Sequence, residues 1–168
     1  MIFVTVGSSK FGFCELIKAM DAIVPHLSHP VIMQIGNGLY VPRNCESFRF
    51  TTSIFDYYDQ ADLVVTCGGV GTVFELLYAQ KRIVAVNNHV IPDQHQNEIL
   101  QKLSLEELIH YCDSLSQLQT LIDSALQAPV KMYQPPQCSI EDHILQLKNQ
   151  SGKFSYFYRL LNWNTSKL

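Results

Sequence analysis

Charge of either sign is scarce in this 168-residue sequence: 16% of it, with twelve Lys and Arg against fifteen Asp and Glu, for a net charge of −3. So small an imbalance, on the acidic side, leaves no electrostatic footprint for coating a phosphate backbone, and nucleic acid is not the expected partner. Cysteine is sparse and unpatterned. Cys14, Cys45, Cys67, Cys112 and Cys138 are odd in number and never spaced Cys-x-x-Cys, which argues against a disulfide framework and a zinc cage and for a reduced cytosolic setting. No apolar run approaches the roughly 18 residues that span a bilayer. The opening Met1-Ile-Phe-Val-Thr-Val-Gly lacks the basic stretch of a secretory leader, so the expectation is a chain neither secreted nor transmembrane. Repeats and low-complexity tracts are missing as well. What is abundant is apolar residue content, 47%, enough for one sizeable core.

Short β-branched runs alternate with segments of helical period, the pattern of βαβ units around a parallel sheet. Strands are expected at Ile2–Val6, Val31–Ile35, Leu63–Cys67, Ile83–Asn87 and Leu108–Cys112, with a weaker one at Phe48–Thr51. Phe13, Leu16, Ile17, Met20, Ile23, Val24 and Leu27 recur at helical spacing and predict a helix packed on the sheet. Further helices are expected at Thr72–Gln80, Gln94–Leu103, Ser114–Gln127 and Ser139–Asn149, with Ser114 and Ser139 as N-caps. Pro129, Pro135 and Pro136 mark Ala128–Gln137 as a connector. The division expected is a domain over 1–150 and a tail over 151–168. From Leu147 onward there are four Lys or Arg and no Asp or Glu, crowded with aromatics such as Phe154, Tyr158 and Trp163. That composition suits an anionic membrane edge or a partner's groove, or else folds back on its own sheet.

Ligands of an open parallel sheet bind beyond the carboxyl ends of its strands. Three polar segments follow expected strands and converge there. Gly7-Ser8-Ser9 offers a tight turn and hydroxyls beside free amides, although a strand-to-helix turn wants glycine on steric grounds alone. Thr66-Cys-Gly-Gly-Val-Gly-Thr-Val-Phe-Glu75 runs from a strand through glycines into a helix, an anion site in outline. It is neither a Walker loop nor a Gly-x-Gly-x-x-Gly fingerprint. Glu75 can accept hydrogen bonds from both hydroxyls of a ribose, or it complements the macrodipole in the first helical turn. Asn87-Asn-His-Val-Ile-Pro-Asp-Gln-His-Gln-Asn97 is dense in groups that pair with sugar hydroxyls. His89 and His95 lack the spacing and third ligand of a metal site, and Asp93 is equally a helix cap.

Together these three segments resemble the C-terminal, nucleotide-sugar-binding half of glycosyltransferase family 28, a GT-B family. The resemblance is carried by Val4-Thr-Val-Gly-Ser-Ser9, by Ala61-Asp-Leu-Val-Val-Thr-Cys-Gly-Gly-Val-Gly-Thr-Val-Phe-Glu75 and by Asp93-Gln-His-Gln96, and it is closer still to the small stand-alone subunits of split transferases, the PssE type of exopolysaccharide synthesis and the catalytic subunit of the dolichol-pathway GlcNAc transferase. It implies a Rossmann-like α/β sheet with flanking helices, a single half of a GT-B fold. It further implies that Gly7, Ser8, Gly69, Val70, Gly71 and Thr72 border the diphosphate, that Glu75 holds the ribose, and that Asp93, His95 and Gln96 read the donor sugar. Ile54 and Phe55 stand where the family contacts uracil.

The implied activity is transfer from a UDP-sugar to a lipid-linked acceptor in polysaccharide assembly, by an inverting β-1,4 galactosyl- or glucosyltransferase. No cofactor and no metal are expected, in line with the missing Asp-x-Asp. The partner expected is a membrane-anchored, PssD-like acceptor subunit that supplies the catalytic base, with this chain peripheral at the cytoplasmic face. Two competitors stand beside this reading. A nucleotide-binding regulatory module needs the same pocket, and a dinucleotide-dependent oxidoreductase needs an acid after the second strand, where Ile35-Gly-Asn-Gly38 has none.

Overall fold

The computed structural model describes residues 1–7, 12–89 and 95–135. Six strands form one fully parallel sheet: β1 (Ile2–Thr5), β2 (Val31–Gln34), β3 (Glu46–Phe48), β4 (Leu63–Thr66), β5 (Arg82–Val86) and β6 (His110–Cys112). Their spatial order is β3-β2-β1-β4-β5-β6. The helices between them are α1 (Cys14–Ile23), α2 (Phe55–Gln60), α3 (Val70–Tyr78), α4 (His95–Leu105) and α5 (Leu118–Gln127). This is the doubly wound Rossmann-like order, and the α/β expectation holds.

Strand side chains alternate between the two faces of the sheet, and each face buries against its own helices. Ile2, Val4, Met33, Leu63, Val65 and Val84 pack with Leu16, Ile17 and Met20 of α1 and Leu118 and Ile122 of α5. Phe3, Val64, Ile83 and Ala85 pack with Tyr58 of α2, Val73, Leu76 and Leu77 of α3, and Leu100 of α4. Burial on both faces explains why β1, β4 and β5 read as unbroken apolar runs rather than alternating ones. Full burial of each such Leu, Ile or Val contributes about 1.5–3 kcal/mol.

Several boundaries differ from the sequence reading. The first helix stops at Ile23 and continues as a single 3-10 turn, Val24–His26, because Pro25 has no N–H to extend the α-helical ladder. The weak strand lies at Glu46–Phe48, upstream of the expected Phe48–Thr51, and ends where its partner does, with Phe48 opposite Gln34. Beyond it the Arg49 guanidinium donates to the carbonyls of Gly36 and Gly38, both at 3.0 Å, turning the chain off the sheet. The last strand is shorter than expected, His110–Cys112. Ser114 stands at an N-terminal boundary but caps nothing with its side chain; it precedes a 3-10 turn, Leu115–Gln117, that leads into α5. Helix α2 was not anticipated at all.

One compact unit spans Met1–Tyr133 and a second Gln134–Leu168. The expected helix Ser139–Asn149, the boundary at residue 150 and the aromatic, basic tail 151–168 lie outside the described residues. Among the described residues no helix is long and apolar enough to cross a membrane.

Candidate functional site

In this strand order the chain leaves β1 toward β2 and β3, then returns to β1's other side with β4. The switch point lies between β1 and β4, and a crevice forms beyond their carboxyl ends. Gly7 follows β1 at φ +68°, a conformation glycine adopts without strain. Its N–H donates to Thr5 Oγ1 at 3.1 Å, while the Thr5 hydroxyl donates to Gln34 Oε1 at the end of β2. Polar side chains thus brace the first loop from below. Ser8 lies outside the described residues.

Across the switch point, β4 runs through Cys67 into Gly68, Gly69 and α3. The Cys67 thiol donates to the Val6 carbonyl at 3.2 Å, tying the two loops together. Burial pushes that thiol up, which keeps it protonated and makes it a strut rather than a nucleophile. The buried Thr66 hydroxyl has no hydrogen-bond partner.

Gly68 sits at φ +72°, and a Cβ there would lie 2.7 Å from Leu100 Cδ1 and 3.0 Å from the Val86 carbonyl oxygen. Gly69 and Gly71 are different: a Cβ on either meets nothing within 4 Å. The first bond of α3 runs from the Val73 N–H to the Gly69 carbonyl at 3.0 Å, so Val70, Gly71 and Thr72 present N–H groups that have no acceptor inside the helix. No side chain caps this end. An uncovered helix N-terminus, kept free of side chains at two glycines, is a ready cradle for an anion.

Glu75 is the sixth residue of α3, in its second turn, and the first turn holds no acid. A macrodipole interaction falls off within the first turn, so that account of Glu75 is set aside. Its carboxyl reaches solvent, yet partial desolvation by the surrounding protein raises it above the ordinary glutamate range. Near it lies Tyr58 of α2, 2% exposed. Burial first, then the Glu75 charge, push the Tyr58 phenol up to about 12. Tyr58 is thus a buried neighbour of Thr72 and Glu75, which sequence reasoning missed because α2 was not recognised. Ile54 is the half-buried residue before α2, and Phe55 opens it with 39% exposure.

The third segment leaves β5 at Asn87. Asn87 Nδ2 donates to Asp113 Oδ1 at 2.8 Å, and the Tyr111 hydroxyl donates to the same oxygen at 3.2 Å. His89 Nε2 lies 3.0 Å from the Asp113 carbonyl, and its Nδ1 is 3.4 Å from Asn87 Nδ2. The two contacts together fit the tautomer that carries its proton on Nε2. Hydrogen bonds from Asn87 and Tyr111 hold the Asp113 carboxyl below the ordinary aspartate range. Asp113 is the second functional-site residue missed from sequence; it follows β6 directly, where the rule about strand ends pointed. Gln96 is half-buried in the first turn of α4, which His95 opens. Asp93 and the side chain of His95 lie outside the described residues.

The structure therefore brings the loops after β1, β4 and β5 to one end of the sheet, with an anion cradle in the middle. A family model described as glycosyltransferase family 28 C-terminal domain matches residues 1–151. The chain belongs to that family. All the site residues expected from sequence fall within the family 28 match. Human UDP-N-acetylglucosamine transferase subunit ALG13 is 32% identical over 122 residues, covering 66% of this chain and 11% of the human protein. The Debaryomyces hansenii protein of the same name is 25% identical over 101 residues, 55% of this chain and 45% of its own length.

The chain thus spans about a tenth of the human relative it matches. Among solved structures, Acinetobacter baumannii MurG superposes with a TM-score of 0.64 at 19% identity, over 88% of this chain and 49% of that one. A solution structure of ALG13 superposes with a TM-score of 0.51 at 17% identity, over 87% of this chain and 93% of that one. The fold is shared with both, about half of the MurG chain matching 88% of this one.

Proposed function

We propose that this chain is the donor-binding subunit of a two-component glycosyltransferase that moves a sugar from a UDP-sugar to a lipid-linked acceptor. The observation that carries the reading is the first turn of α3: Gly69 and Gly71 leave it bare, and its N–H groups open at the switch point. The diphosphate lies there, between Gly7 and residues 69–72, and Glu75 in the second turn accepts from the ribose hydroxyls. In the transfer an acceptor hydroxyl oxygen bonds to the anomeric carbon, the bond from that carbon to the phosphate oxygen breaks, and UDP departs with the electron pair. Fixed N–H dipoles at the helix terminus stabilise the charge that grows on the leaving phosphate. The hydroxyl proton passes to a base, which this reading assigns to a partner protein carrying the second wall of the cleft.

Relatives named as UDP-N-acetylglucosamine transferase subunits make UDP-GlcNAc the donor to test first, ahead of the UDP-glucose and UDP-galactose expected from sequence. They also favour lipid-linked N-glycan assembly over exopolysaccharide assembly. The partner in this reading is anchored in the membrane and holds the chain at its cytoplasmic face. The test is co-expression with a candidate acceptor subunit and a transfer assay with these three donors and a lipid-linked acceptor. Transfer is expected from the pair and not from either protein alone, and to be lost in Glu75→Ala. Full-rate transfer by the isolated chain, or a fully active Glu75→Ala pair, refutes the reading; the second result leaves only the regulatory-module alternative.

A further inference from the structure

Among the described residues two buried side-chain atoms lack a hydrogen-bond partner, Thr66 Oγ1 and Asn87 Oδ1, and the second stands at the end of β5. Asn87 is 5% exposed, and its Oδ1 is buried with no hydrogen-bond partner. Buried acceptors without donors are uncommon in native folds, because the oxygen has given up water and gained nothing in return. Local rotation does not relieve this one. Asn87 Nδ2 is committed to Asp113 Oδ1 at 2.8 Å and faces His89 Nδ1 at 3.4 Å, so turning the amide over sets its oxygen against a carboxylate oxygen. Asp113 is itself held in place by the Tyr111 hydroxyl, and its carbonyl oxygen takes up His89 Nε2. The amide is thereby locked with Oδ1 turned away from both neighbours.

Its position is informative. Asn87 is the first residue after β5, bonded to Val86, and the Val86 carbonyl oxygen lies 3.0 Å from where a Gly68 Cβ would stand. The loop that ends in the open anion cradle therefore rests directly on the residue before Asn87. The strand end that carries Asn87 thus borders the loop leading to residues 69–72.

We infer that Asn87 is a specificity-determining residue of the donor site: its Oδ1 accepts a hydrogen bond from one hydroxyl or amide N–H of the sugar of a nucleotide-sugar, and Asp113 positions it to do so. This rests on the donor-binding reading above and deepens it by naming a group that tells a nucleotide-sugar from a bare nucleotide. UDP alone has nothing to offer the amide. A sugar presenting a donor at the right carbon satisfies the orphan oxygen, and an epimer or deoxy analogue at that carbon leaves it unpaired.

The test is calorimetric titration of the full chain, alone and with its co-expressed partner, with UDP, UDP-GlcNAc, UDP-glucose, UDP-galactose and single-position deoxy analogues of the tightest of these. Wild type is expected to bind one deoxy analogue about tenfold more weakly than its parent, about 1.4 kcal/mol. Asn87→Ala is expected to lose about tenfold for the parent UDP-sugar, to keep UDP within twofold, and to lose its discrimination against that analogue. Asp113→Ala, which leaves Asn87 Nδ2 without its acceptor, is expected to weaken the parent UDP-sugar severalfold while keeping UDP within twofold; an unchanged affinity for the parent overturns the positioning role.

The analogue series on wild type stands whether or not Asn87→Ala folds well. No sensitivity to any deoxy position, or equal weakening of UDP and UDP-sugar in Asn87→Ala, overturns the inference while UDP binding by wild type keeps the donor reading intact. Absence of all binding by wild type, with and without partner, overturns both.

Discussion

Three glycines in four residues, Gly68, Gly69 and Gly71, look interchangeable as sequence, and the structure separates them. Gly68→Ala puts a side chain at φ +72°, which costs about 1–2 kcal/mol for an L-residue. The new Cβ also stands 2.7 Å from Leu100 Cδ1 and 3.0 Å from the Val86 carbonyl oxygen. Leu100 is 1% exposed and has little room to retreat, so overpacking adds about 1–3 kcal/mol. A combined loss of about 2–5 kcal/mol is a large part of the roughly 5–15 kcal/mol that holds a domain folded.

Gly71→Ala places its Cβ in open space and replaces a poor helix former with the best one, a gain of up to about 1 kcal/mol. That open space is where a diphosphate must approach, so the same methyl weakens UDP about tenfold or more, about 1.4 kcal/mol. Thermal unfolding monitored by circular dichroism, with UDP titration of each variant, reads both effects. At about 3–5 °C per kcal/mol for a unit of this size, Gly68→Ala melts roughly 6–25 °C lower and Gly71→Ala at or above wild type. Comparable melting losses in the two variants, or unchanged UDP affinity in Gly71→Ala, would refute the division of labour.

Asp21, 3% exposed on α1, accepts from the Tyr40 hydroxyl at 2.6 Å and from the backbone N–H groups of Arg43 and Asn44. Asp21→Ala should lower the urea-derived stability by about 2–4 kcal/mol. Burial pushes its carboxyl up, but those hydrogen bonds outweigh it and hold it below the ordinary aspartate range. Its contribution is therefore complete above the unfolded-state pKa and lost as pH falls through the lower folded value; urea midpoints across acidic pH should decline in wild type and flatten in the variant.

Glu75 is raised instead, by desolvation. UDP binding that needs its carboxylate should weaken on acidification at a pH above the usual glutamate range. Glu75→Gln should bind UDP more weakly with that step removed, and an unchanged step in the titration would assign it to another group.

The central strands were readable because Ile2–Thr5, Leu63–Thr66 and Arg82–Val86 bury both faces, and burial on both faces writes itself as a continuous apolar run. The anion cradle was readable because a strand, a glycine cluster and a helix follow one another without interruption. Helix α2, FDYYDQ, was not: six residues are too few for a period to show, and three aromatics among its first four residues favour a strand by propensity. It is a helix because the tertiary setting buries Tyr58 and stacks Tyr57 on Phe3 and Phe48. The weak strand slipped because its end is set by the Arg49 clamp on β2's loop, a contact between residues far apart in the chain. Asp113 was missed for a similar reason, since nothing in its immediate sequence announces that Asn87 and His89 converge on it.

The placement of β1 has a bearing on how the molecule is made. Of the six strands described, the one made earliest lies mid-sheet, with Val31 meeting Ile2 on one edge and Leu63 meeting it on the other. At about 5–20 residues per second, translation supplies the second neighbour roughly 1.5–6 s after the first. During that interval an apolar edge, Ile-Phe-Val-Thr, stands open to adhesion by other nascent chains. Slower elongation between β2 and β4 lengthens that exposure and should shift heterologous yield toward aggregate.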